Sequence, residues 1–174
     1  AEAHKPGVAV RIAAARCIAS VEAQGRSLSE GLPLAEAEVD TRDRALLREL
    51  VYGTLRYQPK LAFWRNGLLK KPMNPRDADV AALLICGLYQ LTYLRTPPHA
   101  AISATVDAAR ALGKPWASGL VNGCLRNFQR RSVSLLAAAE KNASAHSLHP
   151  QWWVDRLNSD WPDDAASIMA ANNI

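Results

Sequence analysis

The stretch ADVAALLICGLYQLTYL, residues 78–94, decides the fold of this chain. Apolar side chains face nearly every direction around a helix built from it, and Asp79, Gln90 and Thr92 are its clearly polar positions. A helix that is apolar on all sides is stable only when other elements cover it. The apolar run is also too short to span a bilayer. The stretch therefore predicts a central helix that runs through the middle of a helical domain.

Helical patterns lie on both sides of this central stretch. Residues 8–23 have apolar side chains at the spacing of an amphipathic helix, and Gly25 follows as a helix stop. Pro72 and Pro75 interrupt the chain before the central helix, and Pro98 suits the first turn of the next one. No segment alternates apolar and polar residues for long enough to predict a strand. The predicted fold is an all-α bundle spanning residues 6–140.

Residues 40–56, with the sequence DTRDRALLRELVYGTLR, predict a helix with two chemically different faces. One face is an apolar stripe at spacings of three and four, formed by Leu46, Leu47, Leu50, Val51, Thr54 and Leu55. The other face carries Arg42, Arg48, Tyr52 and Arg56. A guanidinium can fork onto phosphate or stack on a base, so this face suits RNA. Glu49 lies on the same side, however, and an exposed, salt-bridged helix is the alternative.

Two helix starts carry capping patterns. Ser27 and Glu30 have the spacing of a capping box, which predicts a short second turn or helix. Asp40 or Thr41 is expected to cap the two-faced helix, and a bend is expected at Pro59.

The charge of the chain is positive and unevenly distributed. The formal net charge of +5 is made up of +5 in residues 1–76, +3 in residues 77–144 and −3 in residues 145–174. The basic surface therefore belongs to the bundle, and it favours polyanionic partners. Arginine outnumbers lysine by fifteen to six, which suits phosphate recognition, although a GC-rich genome would give the same bias.

Known catalytic sequence patterns do not occur in the chain. It has no glycine-rich nucleotide loop, no zinc-protease pattern HExxH and no nucleophile pattern GxSxG. His99 precedes an apolar helix, and we expect it in a first helical turn rather than as a general base. Asp40 and Asp43 adjoin arginines and are expected to be helix-start anions. The sequence therefore predicts no catalytic, cofactor-binding or metal-binding residue in this chain.

The cysteines and the first helix bear on the cellular compartment. Cys17, Cys86 and Cys124 are far apart, and each lies within an apolar helical pattern. Their number and spacing argue against a disulfide framework and a zinc site, so we expect them to be small core residues. Arg11 and Arg16 interrupt the apolar residues near the start, which argues against a secretory signal. The expected location is the cytoplasm.

Four blocks of sequence together carry a resemblance to a known family. They are DTRDRALLRELVYGTLRY, LLICGLYQLTYLRTPPHAAISATVDAARALGK, GLVNGCLRNFQR and HPQWWVDRLNSDWP, in this order. In order and spacing they resemble the amino-terminal region of the bacterial 16S ribosomal RNA cytosine-C5 methyltransferases of the Fmu (Sun, RsmB) family. The resemblance covers nearly the whole chain, and its first part is similar to the NusB fold, an all-α RNA-binding domain.

The resemblance implies an RNA-binding NusB-like domain in residues 6–140 and a small helical module in residues 146–174. In that family the S-adenosylmethionine site and the catalytic cysteines lie in a following domain, and none of the three cysteines here matches a catalytic motif. The implied chain is therefore not an enzyme by itself but a recognition fragment. Its implied partners are 16S ribosomal RNA and the missing catalytic domain, with S-adenosylmethionine as the cofactor of the parent protein.

Basic residues on three helical segments, with one tyrosine, are the candidate RNA-binding residues. They are Arg11, Arg16, Arg42, Arg48, Tyr52, Arg56, Arg126, Arg130 and Arg131. The arginines would displace counterions from the RNA backbone, and Tyr52 would stack on an unpaired base or pack against the bundle. The hypothesis of a single patch requires these side chains to share one surface.

Three tryptophans lie near the end of the chain. Trp152, Trp153 and Trp161 have helical spacing and are expected to form a small hydrophobic core rather than a base-stacking platform.

One alternative function is a NusB-type transcription antitermination factor that binds RNA with a ribosomal protein. The other is a protein interaction module that pairs apolar helix faces as a dimer. An RNA binder could remain monomeric, so the oligomeric state separates these classes.

Overall fold

The computed structural model describes the backbone of residues 5–141 and the side chains of residues 5–132. The small module predicted at residues 146–174, with Trp152, Trp153 and Trp161, lies outside these described residues. No strand occurs within the described part, which confirms the all-α prediction for the bundle.

Seven α-helices and two short 3₁₀ turns make up the described chain. The helices are α1 (Val8–Glu22), α2 (Leu28–Glu36), α3 (Arg44–Arg56), α4 (Gln58–Leu68), α5 (Ala78–Tyr93), α6 (Pro98–Ala111) and α7 (Pro115–Lys141). The 3₁₀ turns, Thr41–Asp43 and Pro75–Asp77, directly precede α3 and α5. A 3₁₀ turn at the start of an α-helix is a common way to tighten its first turn.

Helix α5 is the centre of the bundle, as its all-round apolar sequence predicts. Every residue from Val80 to Gln90 is buried, and the helix packs against α1, α3, α4, α6 and α7. Gly87 allows a close approach of α7, because a Cβ atom there would lie 2.9 Å from the side chain of Leu125. The other helices are therefore arranged around the buried helix α5.

Three local details differ from the sequence-based expectations. Ser27 is the N-cap residue of α2 and Asp40 that of the following 3₁₀ turn, but neither side chain accepts a capping hydrogen bond. The break after α3 falls at Tyr57, and Pro59 lies in the first turn of α4, where proline is tolerated. Helix α1 is buried on nearly all sides rather than amphipathic. Backbone hydrogen bonds and tertiary packing thus set these helix ends without the predicted side-chain caps.

Glycines after two helices, one side-chain cap and the positions of the cysteines and His99 complete the description of the bundle. Gly25 and Gly113 have positive φ angles of 68° and 81°, and each follows the end of a helix. Asn74 accepts a hydrogen bond from the backbone N–H of Arg76, which caps the turn before α5. The cysteines are free and buried, which confirms them as core residues. His99 lies exposed in the first turn of α6.

Candidate nucleic-acid interface

Helix α3 presents the two faces that its sequence predicts. Leu47, Leu50, Val51 and Thr54 are buried against the bundle. On the opposite side, Arg48, Tyr52 and Arg56 are exposed, with Arg42 in the preceding turn. We call the exposed set of Arg42, Arg48, Tyr52 and Arg56 the arginine face. Half of the Tyr52 surface, 52%, is open to solvent, so this ring is free to contact a ligand.

Helix α3 is held in this orientation by a close contact with α5. A Cβ atom on Gly53 would overlap the ring of Tyr89, so glycine is required for the tyrosine to cross α3 at this point. The Tyr89 hydroxyl then donates a hydrogen bond of 2.8 Å to the Glu49 carboxylate. Burial and this hydrogen bond raise the pKa of Tyr89, so the hydroxyl keeps its proton. The contact fixes which residues of α3 face solvent.

Carboxylates from one short segment neutralise part of the arginine face. Arg48 donates two hydrogen bonds, of 3.3 and 3.1 Å, to the carboxylate of Glu36 at the end of α2. These hydrogen bonds raise the pKa of Arg48 and lower that of Glu36. Arg42 lies 3.6 Å from the carboxylate of Asp40. The salt-bridged alternative is therefore correct for these contacts, and ion pairs between solvent-accessible side chains contribute little to stability.

Arg16 joins the same surface from α1. Its guanidinium lies 3.9 Å from Glu38, two residues beyond the end of α2. Arg16, Arg42 and Arg48 thus converge on the acidic segment formed by residues 36–40. The structure therefore brings together three of the candidate arginines from separate elements.

Arg11 does not belong to any exposed patch, which corrects the expectation that it supplies surface charge. Only 6% of its surface is exposed. Its Nε donates to Gln90 Oε1 on α5 and its Nη1 donates to the Gly7 carbonyl, both at 3.0 Å. Gln90 in turn donates to Thr105 on α6. Arg11 is therefore part of a buried hydrogen-bond network that joins α1, α5 and α6.

Burial changes the chemistry of Arg11 and the backbone around it. Desolvation lowers the pKa of its guanidinium, although the group stays charged because arginine titrates so high. Gly7 has a φ of 86°, and a Cβ atom there would lie 2.7 Å from the Arg11 guanidinium. Glycine is thus needed both for the turn and for the hydrogen bond to its carbonyl.

The last three candidates, Arg126, Arg130 and Arg131, lie on α7. Arg126 and Arg130 are exposed and Arg131 is half-buried. Helix α7 has its main contacts with α6, α5 and α4, whereas α3 packs mainly on α1 and α5. Both α7 and α3 therefore pack on the central helix rather than mainly on each other. A single basic patch that includes the α7 arginines stays a prediction.

An aromatic cluster beside the arginine face was missed in the sequence. The rings of Tyr57 and Tyr93 stack with their centres 4.1 Å apart, and the guanidinium of Arg56 lies 5.3 Å from the Tyr57 ring centre. Lys60 is only 6% exposed and lies within 5.2 Å of the ring centres of Tyr57, Trp64 and Tyr93. Its ammonium also donates a hydrogen bond to the Tyr93 hydroxyl.

The cluster has a sequence signal that is clear once the fold is known. Tyr57, Lys60 and Trp64 share one face of α4, and Tyr89 and Tyr93 are one turn apart on α5. Burial lowers the pKa of Lys60 to about 8 and raises that of Tyr93 to about 12. The three rings stabilise the partly desolvated ammonium through cation–π attraction. The cluster adjoins the end of α3 through the contact between Arg56 and the Tyr57 ring.

Other chemical sites are not found in the described part of the chain. Within it, no group of three or more histidine, cysteine or acidic side chains could hold a metal ion. Burial raises the pKa of the Cys17, Cys86 and Cys124 thiols, so they do not form reactive thiolates. None of the helices described is long and apolar enough to cross a membrane.

Comparisons with known proteins agree with this geometry. The sequence profile of the NusB family matches residues 8–130. The profile of the "Methyltr_RsmF/B-like, ferredoxin-like domain" matches residues 149–174, which lie within the segment 146–174 predicted as a small helical module. The helical character of that segment stays a prediction.

Curated relatives match almost the whole chain. The protein named ribosomal RNA small subunit methyltransferase B in Pseudomonas putida is 47% identical over 163 residues, which are 94% of this chain and 37% of that protein. Proteins of the same name in Pseudomonas syringae and Sodalis glossinidius are each 46% identical over 94% of the chain. The chain spans less than two fifths of the length of these relatives and corresponds to their amino-terminal part. With a family profile matched over most of its length, the chain belongs to the NusB family.

Proposed function

We propose that this domain binds 16S ribosomal RNA and positions it for methylation of a cytosine at C5 by a catalytic domain outside the chain. The observation that carries the proposal is the exposed ring of Tyr52, with Arg48 and Arg56 each one helical turn away on the same face of α3. An aromatic ring flanked by guanidinium groups can stack on an unpaired base while the cations neutralise neighbouring phosphates. Such a surface recognises single-stranded or looped RNA.

The electrostatics of the arginine face favour reversible binding. Arg56 has no carboxylate partner among the described residues, and its recorded contact is with the Tyr57 ring. Arg16, Arg42 and Arg48 face carboxylates of the acidic segment. Phosphates that replace these carboxylates would release counterions from the RNA, so affinity should fall as salt rises. Ribosomal RNA as the partner also implies action in the cytoplasm.

The relatives and the second profile match favour a methyltransferase over a free-standing antitermination factor. A chain with only the NusB part would not explain the match at residues 149–174. The described residues do not fit S-adenosylmethionine, because no strand-to-helix glycine turn occurs among them and the positive-φ glycines lie at helix ends. We infer that S-adenosylmethionine, the expected methyl donor of the parent protein, binds outside this part.

Fluorescence anisotropy with labelled fragments of small-subunit ribosomal RNA tests the proposal. Tyr52→Ala should weaken binding about tenfold, since base stacking contributes about 1–3 kcal/mol, while Tyr52→Phe should retain affinity. Combining Arg48→Ala with Arg56→Ala should make the salt dependence shallower by about 0.7 per lost phosphate contact to single-stranded RNA.

Arg110→Ala is the matched control, because Arg110 is also an exposed arginine with a carboxylate neighbour but lies on α6. It should leave both affinity and salt dependence unchanged. Binding that is independent of salt, or equal loss of affinity in the control and the α3 variants, would contradict the proposal.

A further inference from the structure

A groove lies on the side of the bundle where the α4–α5 connection faces the first half of α7. Its volume is about 880 Å³. Its lining is largely apolar and includes Leu69, Met73 and Leu120. Trp116, at the start of α7, also lines the groove and is 50% exposed. An exposed tryptophan at the edge of an apolar groove is typical of a binding surface.

Two glycines of α7 keep the groove open. Gly119 and Gly123 are one helical turn apart, and a Cβ atom on either would meet no other atom within 4 Å. Glycine inside a helix is unfavourable compared with alanine, and no neighbouring atom of the described chain requires it at these two positions. The empty space above the helix is therefore room for the side chains of something that docks there.

The rim of the groove is basic. Lys70 and Lys71 are exposed and have no carboxylate partner among the described residues. Arg76 lies 3.9 Å from Asp77, but that carboxylate is already paired with Lys114 at 3.0 Å. The groove therefore combines an apolar floor with an excess of positive charge, and its occupant should be apolar and acidic.

We propose that the groove binds the chain's own segment of residues 149–174. This segment contains Trp152, Trp153 and Trp161, and its four aspartates against one arginine give it a net charge of −3. Both properties complement the groove. RNA is the less suitable occupant, because its phosphates would pair with the basic rim but leave the apolar floor uncovered.

The chain is long enough for this contact. From Gly123 to Lys141 helix α7 rises about 27 Å, at 1.5 Å per residue. Residues 142–152 can span up to about 36 Å when extended, so the tryptophans can return to the groove. Because the segment is tethered, its effective concentration at the groove is on the order of millimolar, and a weak contact suffices. The groove and the arginine face lie on different elements, so this proposal does not depend on the proposed function.

Zero-length carbodiimide crosslinking of the full chain tests the contact directly. At dilute protein, Lys70 or Lys71 should become linked to aspartates of residues 155–164, as identified by mass spectrometry of the digested protein. Gly123→Leu fills the groove at a position where the helix tolerates leucine, and it should reduce the crosslink yield about tenfold or more. Ser103→Leu adds an exposed leucine on α6, away from the groove, and should leave the yield unchanged.

Amide hydrogen exchange gives an independent readout. The amides of residues 149–161 should exchange about tenfold faster in Gly123→Leu and in the double variant Lys70→Glu, Lys71→Glu than in the parent chain. Absence of both crosslinks and protection in the parent chain would overturn the proposal. Crosslinks whose yield rises with protein concentration would instead assign the groove to a second copy. Loss of RNA affinity in the lysine variant with unchanged exchange would assign it to RNA.

Discussion

Arg11 and Arg48 lie on helices that pack against each other, yet they occupy opposite environments. Arg11 is enclosed between α1, α5 and α6, with Gln90 and the Gly7 carbonyl as fixed acceptors. Arg48 lies exposed on the surface of α3 and forms an ion pair with the partly exposed Glu36. Removing a buried donor leaves its partner unsatisfied, whereas water or phosphate can replace an exposed partner. The first arginine therefore serves stability, and the second is available for binding.

The largest expected effect separates these two arginines. Arg11→Met should lower the free energy of unfolding by about 2–3 kcal/mol, because Gln90 loses its charged donor in a buried site. Arg48→Met should leave stability nearly unchanged. Urea unfolding followed by circular dichroism measures both. RNA affinity should show the reverse order among the folded proteins, and a stability loss in Arg48→Met equal to that in Arg11→Met would break the comparison.

A second prediction concerns Gly53, where α3 packs against the Tyr89 ring of the buried helix α5. Gly53→Ala should destabilise the protein by about 1–3 kcal/mol, because the added methyl group overlaps Tyr89 and forces the ring to move. Gly123→Ala is the matched control, since its Cβ enters open space and should stabilise the helix by about 0.5–1 kcal/mol. Thermal unfolding of both variants tests this. If both variants were stabilised, helix propensity rather than packing would determine the effect at Gly53.

Lys60 is intermediate between the buried Arg11 and the exposed Arg48, because it is a buried cation in contact with aromatic rings. Burial lowers its pKa to about 8, so between this value and the ordinary 10.5 the unfolded chain binds more protons than the folded one. Stability should therefore rise with pH across that window. We expect about 1 kcal/mol between pH 8 and pH 10, because cation–π attraction offsets part of the desolvation.

Urea unfolding at several pH values measures this rise. In Lys60→Met the rise in stability should be absent over the same pH range. The difference between the parent protein and this variant then isolates the contribution of Lys60 from that of other titrating groups. An identical pH dependence in the variant would place the Lys60 ammonium in contact with water, like that of an exposed lysine.

Helices and their faces were largely predictable from the sequence. The all-apolar pattern around Leu84 correctly predicts a buried central helix, and the spacing of Leu47, Leu50 and Val51 predicts the buried side of α3. The prediction that the side chains of Ser27 and Asp40 cap helices was wrong, because these helix ends are set by backbone hydrogen bonds and packing. Helical period is a local property, so it can be read without knowing what covers the helix.

Partners across helices were less predictable. Gln90 is the one long polar residue of the apolar α5 helix, and Arg11 is one of two arginines in the apolar part of α1. Only packing shows that these two side chains meet. The stacking of Tyr57 on Tyr93 likewise depends on how α4 lies against α5. The convergence of Arg16 and Arg48 on residues 36–40 depends on how α1 and α3 pack against α2.

The sequence by itself determined that this protein is a helical bundle around α5 with an arginine-bearing face on α3, because apolar periodicity is written residue by residue along each helix. Only the tertiary structure decided that Arg11 is a buried structural group, that Lys60 is surrounded by aromatic rings and that Arg16 and Arg48 converge on residues 36–40. Whether a side chain meets water or another helix depends on residues distant in sequence, and their proximity is a result of packing.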